Sequence, residues 1–314
     1  MRWKLPLVLY IATWLTTIGF RFDHSFAEFC VSYVCGMVPF ETFWIAFVDG
    51  LKYSAALMLI LTCHELGHFL QTLRYRVQSS LPYFIPMPFG PTGTLGAVIA
   101  MDGRIPHRRA LFDIGISGPL AGLVPTLFCL YFGIKWSYIV PKSIGVGGLS
   151  LGEPLLLQWI VQWIYGPLAS DLTVMLHPVA LAGWVGLLLT SLNLMPISQL
   201  DGGHIFYALL GKRAAVAALG VFYVLLVLVA AYQLWHWTLL LLILALIGVG
   251  HPPTADDSAP LTPFRYLLGS AVLAFVLIGF TPTPIQFNES ESQREDVPQW
   301  QCRVERIHST PPIT

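Results

Sequence analysis

The sequence predicts an all-α polytopic membrane protein of about six or seven transmembrane helices, and three observations carry that prediction. Of the 314 residues, 55% are hydrophobic and only 11% are charged, whereas soluble domains carry roughly 25% charged residues. Apolar stretches near the ~20 residues that cross hydrocarbon as a helix recur at 5–22, 44–73, 110–134, 175–197, 214–233, 236–251 and 264–281. Lysine and arginine are also shared unevenly between the short loops. With a cytoplasmic N-terminus, ten of them, from Arg2 to Arg265, fall on the cytoplasmic side. Only Arg21, Lys135 and Lys142 face the other way, which is the asymmetry that sets orientation.

The first stretch reads as a retained anchor. Arg2 and Lys4 precede it and Ser25-Phe26-Ala27 offers a signal-peptidase site, but its apolar run is long and bulky for a cleaved signal. Residues 1–43 are therefore an anchor helix and loop, 44–210 a membrane core, 211–281 further membrane helices, and 282–314 a polar tail read as disordered. Formal net charge is zero and no basic tract is present, which removes nucleic acid from the expected partners. Cys30, Cys35, Cys63, Cys129 and Cys302 are scattered without a CxxC pair, so neither a disulfide framework nor a cysteine metal site is indicated. Cys30 and Cys35 read as small apolar residues, with pairing open to them only outside the cytoplasm.

Between the second and third stretches lies PYFIPMPFGPTGTLGAVIAMDG, residues 82–103. Its prolines exclude a helix over the first half, and Val98 and Ile99 favour a strand in the second. Irregular backbone at membrane depth survives only where protein buries it or water reaches it. The segment is thus either a loop on the headgroups or a re-entrant hairpin beside a site. EPLLLQWIVQWIYG, residues 153–166, has the composition of an interfacial helix with Trp159 and Trp163 at headgroup level.

The candidate chemistry sits inside the second stretch, in LTCHELGHFL, residues 61–70. An ionisable group in hydrocarbon costs several kcal/mol, about +2.5–3.5 on the mildest scale, and such groups are functional by default. His64 and His68 are four apart, so a helix projects both from one face, where two imidazoles reach one metal ion. Glu65 stands beside the first ligand, in the place of a general base. Zinc lowers the pKa of water it binds to about 7, and a neighbouring carboxylate can carry the proton during amide hydrolysis. Catalytic zinc usually takes three protein ligands. Among Asp49, Asp102, Asp113 and Asp201, the last lies in SLNLMPISQLDGGH (191–204), at the cytoplasmic end of the fourth span and so at the depth of His64 and His68. Pro196 breaks the helix there, and Gly202-Gly203 frees the chain to turn back.

HELGH followed by NLMPISQLDG resembles the site-2 protease family of intramembrane zinc metalloproteases, whose pattern is HExxH plus NxxPxxxLDG. Every defining position matches: His64, Glu65, His68, Asn193, Pro196, Leu200, Asp201 and Gly202. PTGTLGAVI and FDIGISGPLAG are similar to the family's hairpin and following helix, so the likeness runs from about 44 to 210. It implies a short re-entrant β-hairpin near the active site, one zinc ion per chain held by His64, His68 and Asp201, and Glu65 as catalytic base. It also implies that Gly93, Thr94, Leu95 and Gly96 offer a strand edge to an unwound substrate. Asn193 is then a hydrogen-bonding partner of substrate backbone or oxyanion, with a plain turn asparagine as the equal alternative. The implied activity is endoproteolysis in or near transmembrane segments of membrane-anchored proteins within the lipid bilayer, near the cytoplasmic face. Many members have GPxxN after the hairpin, whereas this chain has Gly118-Pro119-Leu120-Ala121-Gly122; glycine at 122 permits closer helix packing.

Other readings are weaker. Gly115-Ile116-Ser117-Gly118 spells the GxSG of rhomboid serine proteases, but packing glycines account for it. His204 reads as a turn histidine or a tuning neighbour of Asp201, His177 as interfacial, and Cys63 as pointing off the metal face. A zinc transporter predicts ligands along a path, and the sequence holds one cluster. A non-catalytic homologue predicts loss of Glu65 or a ligand. Substrate identity and oligomeric state have no signal in the sequence.

Overall fold

The computed structural model describes residues 3–19, 40–88, 90, 92–101, 105–142 and 149–287. The expected Cys30 and Cys35 reading, Arg2, Arg21 and Arg104 of the charge asymmetry, and most of the polar tail lie outside these residues. The chain is mostly helical. In order come α1 (Lys4–Gly19), α2 (Phe40–Arg74), β1 (Tyr83–Pro86), β2 (Thr94–Val98), α3 (Arg108–Lys135), β3 (Tyr138–Pro141), β4 (Leu149–Leu151) and α4 (Leu155–Tyr165). There follow β5 (Leu172–Met175), α5 (Pro178–Asn193), α6 (Asp201–Leu210), α7 (Ala214–Ala231), α8 (Thr238–Ile247), α9 (Pro263–Ala274), α10 (Val276–Gly279) and β6 (Ile285–Phe287).

Among the described residues, three helical stretches are long and apolar enough to cross a membrane: Glu41–Arg74, Arg108–Lys135 and Asp201–Ala231. The other apolar stretches are shorter, as in Lys4–Gly19, Pro178–Asn193, Trp235–Ile247 and Pro263–Gly279. Local chemistry accounts for their ends. Gly248 takes a left-handed φ of 105° after α8, and α5 stops ahead of Pro196, which cannot continue a helix. The segment read as an interfacial helix forms α4, and its Trp159 and Trp163 are exposed.

The core is a three-helix sandwich of α2, α3 and α5, with Tyr53, Leu57, Ile60, Leu130, Ile134 and Leu187 nearly sealed from solvent. Helices this close need small residues where backbones meet. A Cβ at Gly67 of α2 would run into the backbone carbonyl of Ser117 on α3, so glycine sets the distance between the two helices.

Residues 83–98 form the antiparallel pair β1–β2, with Tyr83 opposite Val98, Phe84 opposite Ala97 and an irregularity before Pro86. Helix α1 braces it. The Tyr10 and Phe84 rings meet edge to face at 4.8 Å, Thr16 Oγ1 donates to the Gly93 carbonyl at 2.8 Å, and β2 also packs on α2. Two further antiparallel pairs, β3–β5 and β4–β6, had no sequence signal, because strands of three or four residues are too short to show alternation.

Replacing Gly67 by alanine should lower the thermal midpoint of the detergent-solubilised protein by several degrees, since overpacking costs about 1–3 kcal/mol. Gly220→Ala is the control: nothing lies within 4 Å of a Cβ there, so the better helix former should leave the midpoint unchanged or raise it.

Candidate metal centre

Three donor groups from two distant segments converge. His64 and His68 sit on consecutive turns of α2, and Asp201 is the first residue of α6. The His64 Nε2 atom lies 3.1 Å from Asp201 Oδ2 and 3.1 Å from His68 Nε2, and His68 Nε2 lies 3.2 Å from Asp201 Oδ1. Among the described residues this is the one group of three or more His, Cys, Asp or Glu side chains that could hold a metal ion. The triangle has the right size. Nitrogen and oxygen donors bound tetrahedrally at about 2.0–2.1 Å from zinc stand roughly 3.3 Å apart. Two neutral imidazoles and a carboxylate are also an ordinary zinc donor set.

The His68 ring is aimed from behind. His68 Nδ1 lies 2.7 Å from the backbone oxygen of Ile114. A carbonyl can only accept, so Nδ1 carries the proton, and the neutral ring then presents its Nε2 lone pair to the centre of the triangle. This is the outer hydrogen bond that fixes tautomer and ring orientation in metal sites. Helix α3 supplies space as well as that carbonyl. A Cβ on Gly118 would overlap the His68 ring, and one on Gly122 would come within 3.0 Å of His64 Cβ. The closer packing expected from glycine at 122 is therefore packing against His64. Glu65 is 4% exposed and directly follows His64, so a carboxylate stands beside the donor triangle in a nearly sealed site.

The local path to Asp201 differs from the expectation that it ends the fourth span. Helix α5 stops at Asn193, residues 194–200 form a non-helical joint, and Asp201 opens α6, which leads into α7. Pro196 forbids helix through the joint, and Ser198 adopts a left-handed φ of 58°. Gly202 and Gly203 remain helical; they matter because any Cβ there would strike the carbonyls of Leu194 and Ser198. Asp201 lies in the first turn of its helix, where exposed amide groups favour a negative charge. Asn193 is the last helical residue of α5, and the cap is made by the Leu194 backbone. In the hairpin, Gly93 and Gly96 take positive φ values of 78° and 97°, and Thr94 is buried with its hydroxyl donating to the Ile85 carbonyl. Leu95 is exposed.

His204 does not join the triangle. It is buried one turn after Asp201, and its Nδ1 lies 2.6 Å from His251 Nε2. Sequence reasoning missed that partnership, because His251 ends an apolar run 47 residues later with no spacing to tie it to His204. The His251 ring also lies against that of Tyr207, with centroids 5.0 Å apart. Asp257 in turn accepts from Tyr207 and Thr254 at 2.7 Å each. Burial raises its pKa, but those hydrogen bonds outweigh it and hold the carboxyl below its usual range.

Comparison with known proteins follows the same residues. The model of peptidase family M50 matches residues 52–231. The chain is 28% identical over 251 residues to the probable chloroplastic zinc metalloprotease EGY2 of Arabidopsis thaliana, covering 78% of this chain and 44% of that protein. It is 34% identical over 175 residues to the probable chloroplastic zinc metalloprotease EGY1 of the same plant, covering 54% and 32%. The EGY1 counterpart of Oryza sativa subsp. japonica is 32% identical over 190 residues, covering 57% and 31%. The chain thus spans less than half the length of these relatives. No solved structure matches it significantly.

Metal analysis of the purified protein should give about one zinc per chain, falling close to zero in Asp201→Ala. In Gly118→Ala, whose new methyl meets the His68 ring, metal affinity should drop 10–100-fold, the range of outer-shell lesions.

Proposed function

We propose an intramembrane zinc endopeptidase for this chain, which belongs to peptidase family M50, the site-2 protease family. The observation that carries the reading is the triangle of His64 Nε2, His68 Nε2 and the Asp201 carboxylate beside a buried glutamate, all on apolar helices. Zinc held by those three residues supplies Lewis acidity and an activated water nucleophile at neutral pH.

The rest of the work belongs to the chain. Glu65 accepts a proton from the attacking water and delivers it to the amide nitrogen as the carbon–nitrogen bond breaks. His68, its Nδ1 proton held by Ile114, keeps its Nε2 lone pair directed into the site. The apolar walls of α2, α3 and α5 restrict bulk water, which strengthens each of these electrostatic contacts. Asn193, at the joint leading to Asp201, hydrogen-bonds the substrate backbone or the developing oxyanion.

The substrate is a transmembrane segment of a membrane-anchored protein, cut near the cytoplasmic face after an earlier cut elsewhere. A helical segment hides its scissile amides, so it must unwind and find new hydrogen-bond partners. The β1–β2 hairpin, read as re-entrant, offers one through the Gly93, Thr94, Leu95 and Gly96 stretch, by strand addition to the β2 edge. Among the described residues β2 pairs only with β1, and the exposure of Leu95 and Val98 suits a strand that awaits a partner. Membrane crossings beyond the three long stretches come from the shorter apolar helices, with local bilayer thinning and snorkelling flanking residues making up the length. The N-terminus and the metal end of α2 face the cytoplasm. Residues 44–210 form the catalytic core, 1–43 and 211–281 flank it in the membrane, and the tail is dispensable to the chemistry.

Glu65→Gln should reduce cleavage of a model transmembrane substrate by about 10²–10⁴-fold with zinc content unchanged, and a zinc chelator should abolish it. Cleavage that survived either treatment would rule out the mechanism. Single cysteines placed at the exposed positions 74 and 212 should react with an impermeant thiol reagent from the cytoplasmic side; reaction only from the opposite side would invert the topology.

A further inference from the structure

The metal centre has a weak point. Asp201 opens a helix, its N-cap Leu200 makes no side-chain hydrogen bond, and the seven residues before it are non-helical. No regular element upstream fixes where the carboxylate stands. Besides the close packing of Gly202 and Gly203 on the joint, support comes from elsewhere in the chain, and the contacts of residues 249–265 supply it.

The chain leaves α8 at Ile247 and crosses the ends of α6 and α3 before α9 begins at Pro263. On the α6 side, the Val249 carbonyl accepts from Ser198 N at 2.7 Å, tying down the joint three residues before Asp201. His251 Nδ1 lies against the Pro252 carbonyl at 2.5 Å and must donate to it, which leaves Nε2 as an acceptor. His204 Nδ1 therefore donates to His251 Nε2 at 2.6 Å. His204 is one turn from Asp201, and its Cβ packs on Gly115 of α3, 2.8 Å from where a glycine Cβ would stand. On the α3 side, Ala255 N donates to the Ile105 carbonyl at 3.0 Å. Arg265 then forks onto Asp113, with Nε and Nη2 each 2.9 Å from a carboxylate oxygen. Asp113 immediately precedes Ile114, the residue whose carbonyl holds His68.

We propose that residues 249–265 are a positioning strap for the metal centre, with His251 setting the Asp201 half and Arg265 setting the His68 half. The inference rests on the reading of His64, His68 and Asp201 as metal ligands. Neither His251 nor Arg265 touches the donor triangle. Each acts through one intermediate, His204 or Asp113, on the element that carries or backs a ligand. A bidentate arginine–carboxylate pair fixes orientation as well as distance, which is what the Ile114 carbonyl needs. The strap also lies outside residues 52–231, so it is an addition to the part of the chain that the family model covers.

The test uses the full chain in detergent, loaded with zinc or with cobalt as a spectroscopic stand-in. Metal loss to a competing chelator and the visible cobalt spectrum are read together with the thermal midpoint. His251→Ala and Arg265→Ala should each release metal at least 10-fold faster and alter the cobalt band. His251→Gln, which keeps an acceptor oxygen for His204, should restore most of the wild-type behaviour. Arg265→Lys, which keeps charge but loses the fork, should fall between. Alanine variants that shift the midpoint but leave metal loss and spectrum unchanged would reduce the strap to helix packing and overturn the proposal. A wild-type chain that binds neither ion would instead overturn the metal reading on which it stands.

Discussion

Two imidazoles and two carboxylates inside apolar helices are the constraint from which the rest of this structure follows. Each charge or polar lone pair there must find a partner, because hydrocarbon and packed side chains offer none. The chain meets this demand by mutual arrangement. His64, His68 and Asp201 face one another at 3.1–3.2 Å, and the outward nitrogen of His68 is satisfied by a backbone carbonyl. Such an arrangement tolerates little slack. It explains why α3 presents hydrogen rather than methyl at Gly118, where a larger residue would take the volume of the His68 ring, and why Gly122 can lie tight against His64. Close packing is here a condition of the chemistry as much as of stability.

The same demand explains the asymmetry between the halves of the site. The histidines stand in mid-helix, where backbone hydrogen bonds on both sides fix their positions. Asp201 stands at a helix start, after a proline-broken joint, where local support comes only from the helix that follows it and from the packing of Gly202 and Gly203 on the joint. The structure compensates with contacts of large sequence separation, and those contacts end on residues that also hold α3. Helix α1 performs a comparable service for the hairpin through Tyr10 and Thr16.

Much of this was legible in the sequence. The four-residue histidine spacing fixes a shared face on any helix, the apolar surroundings make that face anomalous, and matching depth singles out Asp201. The proline-rich stretch before Val98 could not be helix, and it is a strand pair. Other features were not legible, for physical reasons. Apolar length overstates helix length where an end is set by one turn residue, as at Gly248, so stretches of similar composition yield helices of 10 to 35 residues. The start of α6 at Asp201 depends on the packing of Gly202 and Gly203 against the joint, which no periodicity records. The His204–His251 and Asp113–Arg265 contacts join residues 47 and 152 apart. Pairings of single polar residues at such separations leave no pattern in one sequence.

The separation of Asp201 from His64 by 137 residues, together with the strap that ends at Arg265, also fixes an order of events during synthesis. The helix bearing HELGH is made early, yet its ligands have no third partner until the 194–201 joint has emerged. That joint has no anchor until Val249 and His251 have followed, about 50 residues after Asp201, and a chain grows at about 5–20 residues per second. For several seconds the nascent protein therefore carries a glutamate and two histidines in apolar surroundings without the geometry that makes them a site. Completion of the donor group and of the contacts that hold it therefore comes late in the synthesis of the residues that build it.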